Sequence, residues 1–141
     1  MPGRPRASRR TILRTAAVTP VAGLGLAACG PEGGGGAASA PTAPVDLGAE
    51  SEIPKGGAKL FTDHNVVVSR SGDGALKAFS TICTHRGCAI TELEGTTLTC
   101  PCHGSQFDAV TGRVVRSPAT VPLDTLPVHA DGGKIVAGPG A

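Results

Sequence analysis

The sequence predicts an all-β domain: an antiparallel β-sandwich with a small subdomain of cysteine- and histidine-bearing loops at one end. Three observations predict it. From about Val45 onward, short β-prone runs alternate with clusters of Gly, Asp, Asn and Ser. No stretch of useful length carries the apolar period of an amphipathic helix. Near the end, Pro127–Ala130 and Lys134–Ala137 flank Asp131-Gly132-Gly133, a hairpin signal.

At 141 residues the chain allows one domain. Residues 1–28 read as a targeting segment rather than fold. Five of the 13 Lys and Arg residues (Arg4, Arg6, Arg9, Arg10 and Arg14) fall before residue 15, and none of the 11 acids does. Ser8-Arg9-Arg10-Thr11-Ile12-Leu13-Arg14 resembles the twin-arginine export motif. The small, mildly apolar run from Thr15 to Ala28 is too short and too interrupted to span a bilayer. Leu26-Ala27-Ala28-Cys29 resembles a lipobox, which implies lipidation of Cys29 and anchoring on the outer face of the cytoplasmic membrane.

Residues 29–44 read as a Gly/Ala/Pro-rich linker with no apolar periodicity. As a free coil of about 15 residues it would reach roughly 20 Å r.m.s..

Residues 45–141 form the predicted domain. Lys59-Leu60-Phe61, Asn65–Ser69 and Ala75–Ile82 read as strands, with turns at Asp63-His64-Asn65 and Ser71-Gly72-Asp73-Gly74. In the third of these, Leu76, Ala78, Ser80 and Ile82 alternate with Lys77, Phe79 and Thr81, so its faces are not cleanly divided. Thr96–Thr99 is a further short strand, and Asp108 with Thr111-Gly112 marks a turn. The domain has no Trp or Tyr and the whole chain only three Phe, so a large aromatic core is excluded. From residue 29 onward eight basic residues face eleven acidic ones. That balance, with no basic patch interleaved with aromatics, gives nucleic-acid binding no support.

The chemistry concentrates in two boxes, Cys83-Thr84-His85-Arg86-Gly87-Cys88 and Cys100-Pro101-Cys102-His103-Gly104-Ser105. They hold four of the five cysteines and two of the four histidines. Soft sulfur and borderline imidazole at short spacing suggest a metal site. Cys83-x-His85 and Cys100-x-x-His103 could hold structural zinc as a Cys2His2 set, leaving two idle thiols. The same four could hold a [2Fe–2S] cluster with mixed ligands. Covalent haem needs Cys-x-x-Cys-His, and Cys100-Pro101-Cys102-His103 is one residue too short. His64 and His129 read as surface or strand residues, and Glu92 and Glu94 as solvated.

This double box resembles the Rieske iron–sulfur protein family in its disulfide-containing branch, over the boxes and more loosely over residues 45–138. The resemblance implies one [2Fe–2S] cluster per chain, with Cys83 and Cys100 on one iron and His85 and His103 on the other. It implies a disulfide between Cys88 and Cys102, and a hydroxyl from Ser105 aimed at the cluster. Ser117-Pro118-Ala119 resembles the proline loop of the family. Two positions depart from its quinol-oxidising members: Phe107 stands where those carry a hydrogen-bonding Tyr, and Arg86 where an apolar Leu follows the first His. Both departures point away from a quinol pocket. Neutral imidazoles in place of two thiolates make reduction easier, towards roughly −150 to +300 mV.

The expected function is one-electron transfer by a membrane-tethered extracytoplasmic carrier or electron-transfer subunit. Its partner would be a cytochrome or oxidoreductase subunit at the membrane. The alternatives are the iron–sulfur subunit of a cytochrome bc-type quinol oxidoreductase and a zinc-stabilised binding module. No independent substrate chemistry is expected.

Overall fold

The computed structural model describes residues 37–141. They form eleven antiparallel strands and two short 3-10 turns, with no α-helix among the described residues. Nor is any described helix long and apolar enough to cross a membrane.

Three sheets result. The first has the order β1-β11-β10, from β1 (Val45–Ala49), β10 (Val128–Asp131) and β11 (Lys134–Ala137). The second is β2-β3-β4-β9, from β2 (Gly57–Phe61), β3 (Val66–Arg70), β4 (Leu76–Ser80) and β9 (Thr125–Leu126). The third is a meander of β5 (Glu92–Glu94), β6 (Thr97–Thr99), β7 (Gln106–Asp108) and β8 (Val114–Arg116). The predicted loop subdomain is thus built on a sheet of its own, whose three-residue strands are too short to show a period.

Two apolar cores share one wall. Val66, Val68, Ala78 and Leu126 pack with Leu47, Ile53 and Ile135 of the first sheet's side. Val67 and Phe79 point the other way and pack with Ile90, Leu98, Phe107, Cys83 and Cys100. Strands β3 and β4 are therefore covered on both faces. This is why Val66-Val67-Val68 runs apolar without alternating, and why Ala78 and Phe79, neighbours in sequence, are both buried. The expected hairpin at Gly132-Gly133 is present, with Asp131 paired to Lys134.

The linker ends earlier than its composition suggests. The Asn65 side-chain amide donates to the Ser39 carbonyl at 2.9 Å. Gly138 lies so close to the Ala43 carbonyl that a Cβ there would meet the oxygen at 2.7 Å. Residues 37–44 are thus a strap along the domain rather than free coil. Residues 1–36, with the leader, Cys29 and the rest of the linker, lie outside the described residues.

Candidate metal centre

The two boxes fold into matching six-residue turns. In the first, Cys83 N–H donates to the Cys88 carbonyl and Gly87 N–H to the Cys83 carbonyl, both at 2.8 Å. In the second, Cys100 N–H donates to the Ser105 carbonyl at 2.9 Å and Gly104 N–H to the Cys100 carbonyl at 3.0 Å. Each turn is closed by a backbone pair, Ile82 with Ala89 in one and Thr99 with Gln106 in the other. The fifth residue of each is a glycine, at φ 77° for Gly87 and 73° for Gly104. A Cβ in that left-handed region costs roughly 1–2 kcal/mol, so glycine is the residue these turns favour.

The matched turns carry two neighbouring pairs of potential donors, the Cys83 and Cys100 thiols and the His85 and His103 imidazoles. Cys83 and Cys100 open the two turns; both are free thiols, only 2% and 1% exposed. The His85 and His103 rings meet edge to face, 4.8 Å between centroids and 88° apart in plane. His85 Nδ1 is buried without a hydrogen-bond partner, although its ring is otherwise part-exposed. Burial pushes the Cys83 thiol above its ordinary range. The His85 backbone N–H opposes this, the neighbouring Cys100 thiol adds to it, and the Ser105 hydroxyl opposes it again. Cys83 is thus held protonated until a metal displaces the proton.

Cys88 and Cys102 are joined in a disulfide that ties the turns together, with 6.6 Å between their Cα atoms. The sulfurs of Cys88, Cys100 and Cys102 all lie within 4.8 Å of one another. Bonded to each other, Cys88 and Cys102 offer no thiolate, so the free sulfurs of the two turns are those of Cys83 and Cys100.

A third segment clamps both turns. Ser105 Oγ, fully buried, accepts a hydrogen bond from Ala119 N–H at 3.0 Å. Its own proton stays free to point towards the sulfurs. Thr84 Oγ1 donates to the Val121 carbonyl at 2.6 Å. The Ser117–Pro118 peptide in this segment is cis. The roles of Thr84 and Val121 escaped sequence reasoning; their pairing spans 37 residues, and no local pattern announces it. Phe107 is fully buried in the same core as Cys83 and Cys100, and carries no donor. Arg86 is exposed at the tip of the first turn. His64 and His129 are exposed, on a 3-10 turn and on β10, and are not grouped with the donors. Asp108 makes the expected turn: its Oδ1 accepts from Val110 N–H, Thr111 N–H and the Thr111 hydroxyl.

Comparison with known proteins agrees with this geometry. The family description "Rieske [2Fe-2S] domain" matches residues 43–127. The cytochrome b6-f complex iron-sulfur subunit of Chlorobaculum tepidum is 38% identical over 93 residues, covering 64% of this chain and 50% of that protein. The 3-phenylpropionate/cinnamic acid dioxygenase ferredoxin subunit of Shigella flexneri is 32% identical over 88 residues, 60% of this chain and 83% of that one. Among solved structures, the cyanobacterial plasma membrane Rieske protein PetC3 from Synechocystis PCC 6803 is similar at a TM-score of 0.53 and 29% identity. That match covers 66% of this chain and 97% of the other. The chain spans about half the length of the cytochrome b6-f subunits it matches.

The group implied by the match fits what is present. Two buried thiols outside any disulfide, two converging imidazoles and an unpartnered buried ring nitrogen suit a mixed-ligand cluster. The chain belongs to the Rieske [2Fe-2S] domain family, and its cofactor is a [2Fe–2S] cluster.

Proposed function

We propose that this chain transfers single electrons through a [2Fe–2S] cluster held by Cys83, Cys100, His85 and His103. The observation that supports the reading is the pair of matched turns, each carrying one buried free thiol and one of two edge-to-face imidazoles. When bound, the cluster accepts and returns one electron without making or breaking a substrate bond. The protein's part is to bind, orient and tune. Cys83 and Cys100 lose their protons on binding metal. His103 is exposed and His85 part-exposed, so the imidazole side is the side a partner can approach. The His85 N–H and the Ser105 hydroxyl donate towards the Cys83 sulfur, which favours added negative charge there. Iron and acid-labile sulfide analysis, with the EPR spectrum of the reduced protein, tests the reading. Protein purified with neither iron nor sulfide would overturn it.

The same proposal includes export and tethering. Residues 1–28 act as a twin-arginine leader, Cys29 as the lipidated first residue of the mature chain, and residues 45–141 as the working domain outside the cytoplasmic membrane. This rests on the Ser8–Arg14 and Leu26–Cys29 motifs. Cys29→Ser should move the protein from the membrane fraction to the soluble one; unchanged fractionation would remove the lipid anchor from the account.

The partner is a redox protein at the membrane with an acidic docking face. Arg86 is exposed on the first turn. Val121, 56% exposed, belongs to the segment bonded to that turn. A cation at the contact suits electrostatic steering more than entry into an apolar quinol pocket. The second reading, an iron–sulfur subunit of a cytochrome bc-type quinol oxidoreductase, is favoured by the b6-f relatives. A redox titration separates the two, because the buried Phe107 cannot supply a hydrogen bond that would raise the potential. A potential as high as that of the quinol-oxidising type would favour the second reading.

A further inference from the structure

The sulfur chemistry of the site is not exhausted by holding iron. Cys100 is a free thiol whose sulfur lies within 4.8 Å of both sulfurs of the Cys88–Cys102 disulfide. A free thiol beside a disulfide is the reactant pair of thiol–disulfide exchange, which needs no outside oxidant or reductant. Cys83 is also free, yet it does not belong to this trio. The geometry therefore distinguishes two thiols that the sequence presents as equivalents.

We propose that in the cluster-free chain Cys100 is an internal nucleophile that attacks the Cys88 sulfur and expels Cys102. The Cys88–Cys102 bond breaks as the Cys88–Cys100 bond forms. Cys100 gives up its proton, the departing Cys102 sulfur takes one up, and the oxidation state of the chain is unchanged. Two features select this product. Cys102 is exposed, so water stabilises it as the leaving group, whereas Cys88 is part-buried. Attack on Cys102 instead would join two cysteines separated only by Pro101, a ring with little freedom to reach disulfide geometry. The product carries a surface thiol at Cys102, open to modification, and Cys100 is no longer a sulfur donor for a cluster. Bound iron holds the Cys100 sulfur and blocks the exchange; this clause rests on the ligand assignment above, while the exchange itself rests on the sulfur positions alone.

The test uses the full-length Cys29→Ser chain, so that only the four cysteines of the two boxes report. The cluster is stripped with acid and chelator under nitrogen, the chain is returned to neutral pH, and free thiols are alkylated at intervals before peptide mapping. Uncatalysed exchange runs on the order of minutes to hours. The expected result is alkylation appearing at Cys102, loss of the Cys88–Cys102 peptide and gain of a Cys88–Cys100 peptide. The cluster-loaded chain should show none of these changes. Persistence of Cys88–Cys102 alone would overturn the proposal. So would a mixture rich in Cys83-containing disulfides, the signature of shuffling in an unfolded chain. Cys83→Ser, which should hold no cluster to begin with, taken through the same treatment and mapping, should still exchange. If instead the loaded chain exchanges as fast as the stripped one, the ligand assignment of Cys100 fails while the exchange stands.

Discussion

In the turn of residues 83–88 the sulfur donor comes first and the imidazole third; in the turn of residues 100–105 they come first and fourth. The backbones nevertheless match, with glycine fifth in both and the same two internal hydrogen bonds. The one-residue offset changes what each imidazole meets. His85 has a ring nitrogen buried without a partner, while His103 is exposed. The remaining positions divide as well: the sixth residue is a bridging Cys88 in one turn and the hydroxyl-bearing Ser105 in the other. One turn geometry therefore does not dictate one chemistry. The backbone fixes where the first sulfur sits, and the choice of side chain decides the rest.

Removal of one first-position sulfur puts the equivalence of the two turns to its severest trial. Cys83→Ser and Cys100→Ser should each abolish iron and sulfide content completely; retention of the cluster in either would show the turns to be unequal partners. Next in size is the bridge between the turns. Cys88→Ser or Cys102→Ser should lower stability by around 3 kcal/mol in denaturant titration, the value for closing a loop of about 15 residues.

A pair of tuning variants sharpens the contrast at smaller scale. Ser105→Ala removes a buried donor and should lower the potential, by at most on the order of 60–130 mV for one charge-assisted hydrogen bond. Phe107→Tyr should raise it within the same bound. Voltammetry on both reads the two signs together. An unmoved potential in Ser105→Ala would confine that hydroxyl to holding Ala119.

The smallest effect is also the most direct measure of equivalence. Nothing lies within 4 Å of a Cβ built at either Gly87 or Gly104. Alanine at each should therefore lose only conformational energy, roughly 1–2 kcal/mol, and the two losses should agree. A clear inequality in thermal or denaturant unfolding would reveal strain in one turn that the other lacks.

Much of the centre was legible because its signals are local. The spacing of Cys and His within each box, Asp108 three residues before Thr111, and the paired glycines before Lys134 all act over a handful of residues. What stayed hidden acts at long range or over too few residues. Strands β5, β7 and β8 hold three residues each, too few to show a two-residue period, and unlike the equally short β6 they lack a β-prone threonine run. Strand β4 showed mixed faces because Ala78 and Phe79 belong to different cores. The strap of residues 37–44 looked like free linker because a single amide, Asn65, reaches across 26 residues to hold it.

The clamp formed by residues 117–121 carries one more implication. Turn 83–88 is linked to turn 100–105 by the disulfide, turn 100–105 to Ala119 through Ser105, and Val121 back to turn 83–88 through Thr84. These links close a circuit, so neither turn can swing without stretching a covalent or hydrogen bond elsewhere. Groups held this way are already oriented when charge arrives, and little nuclear rearrangement accompanies it. In the electron-transfer role proposed above, the protein's own share of the barrier would then be small.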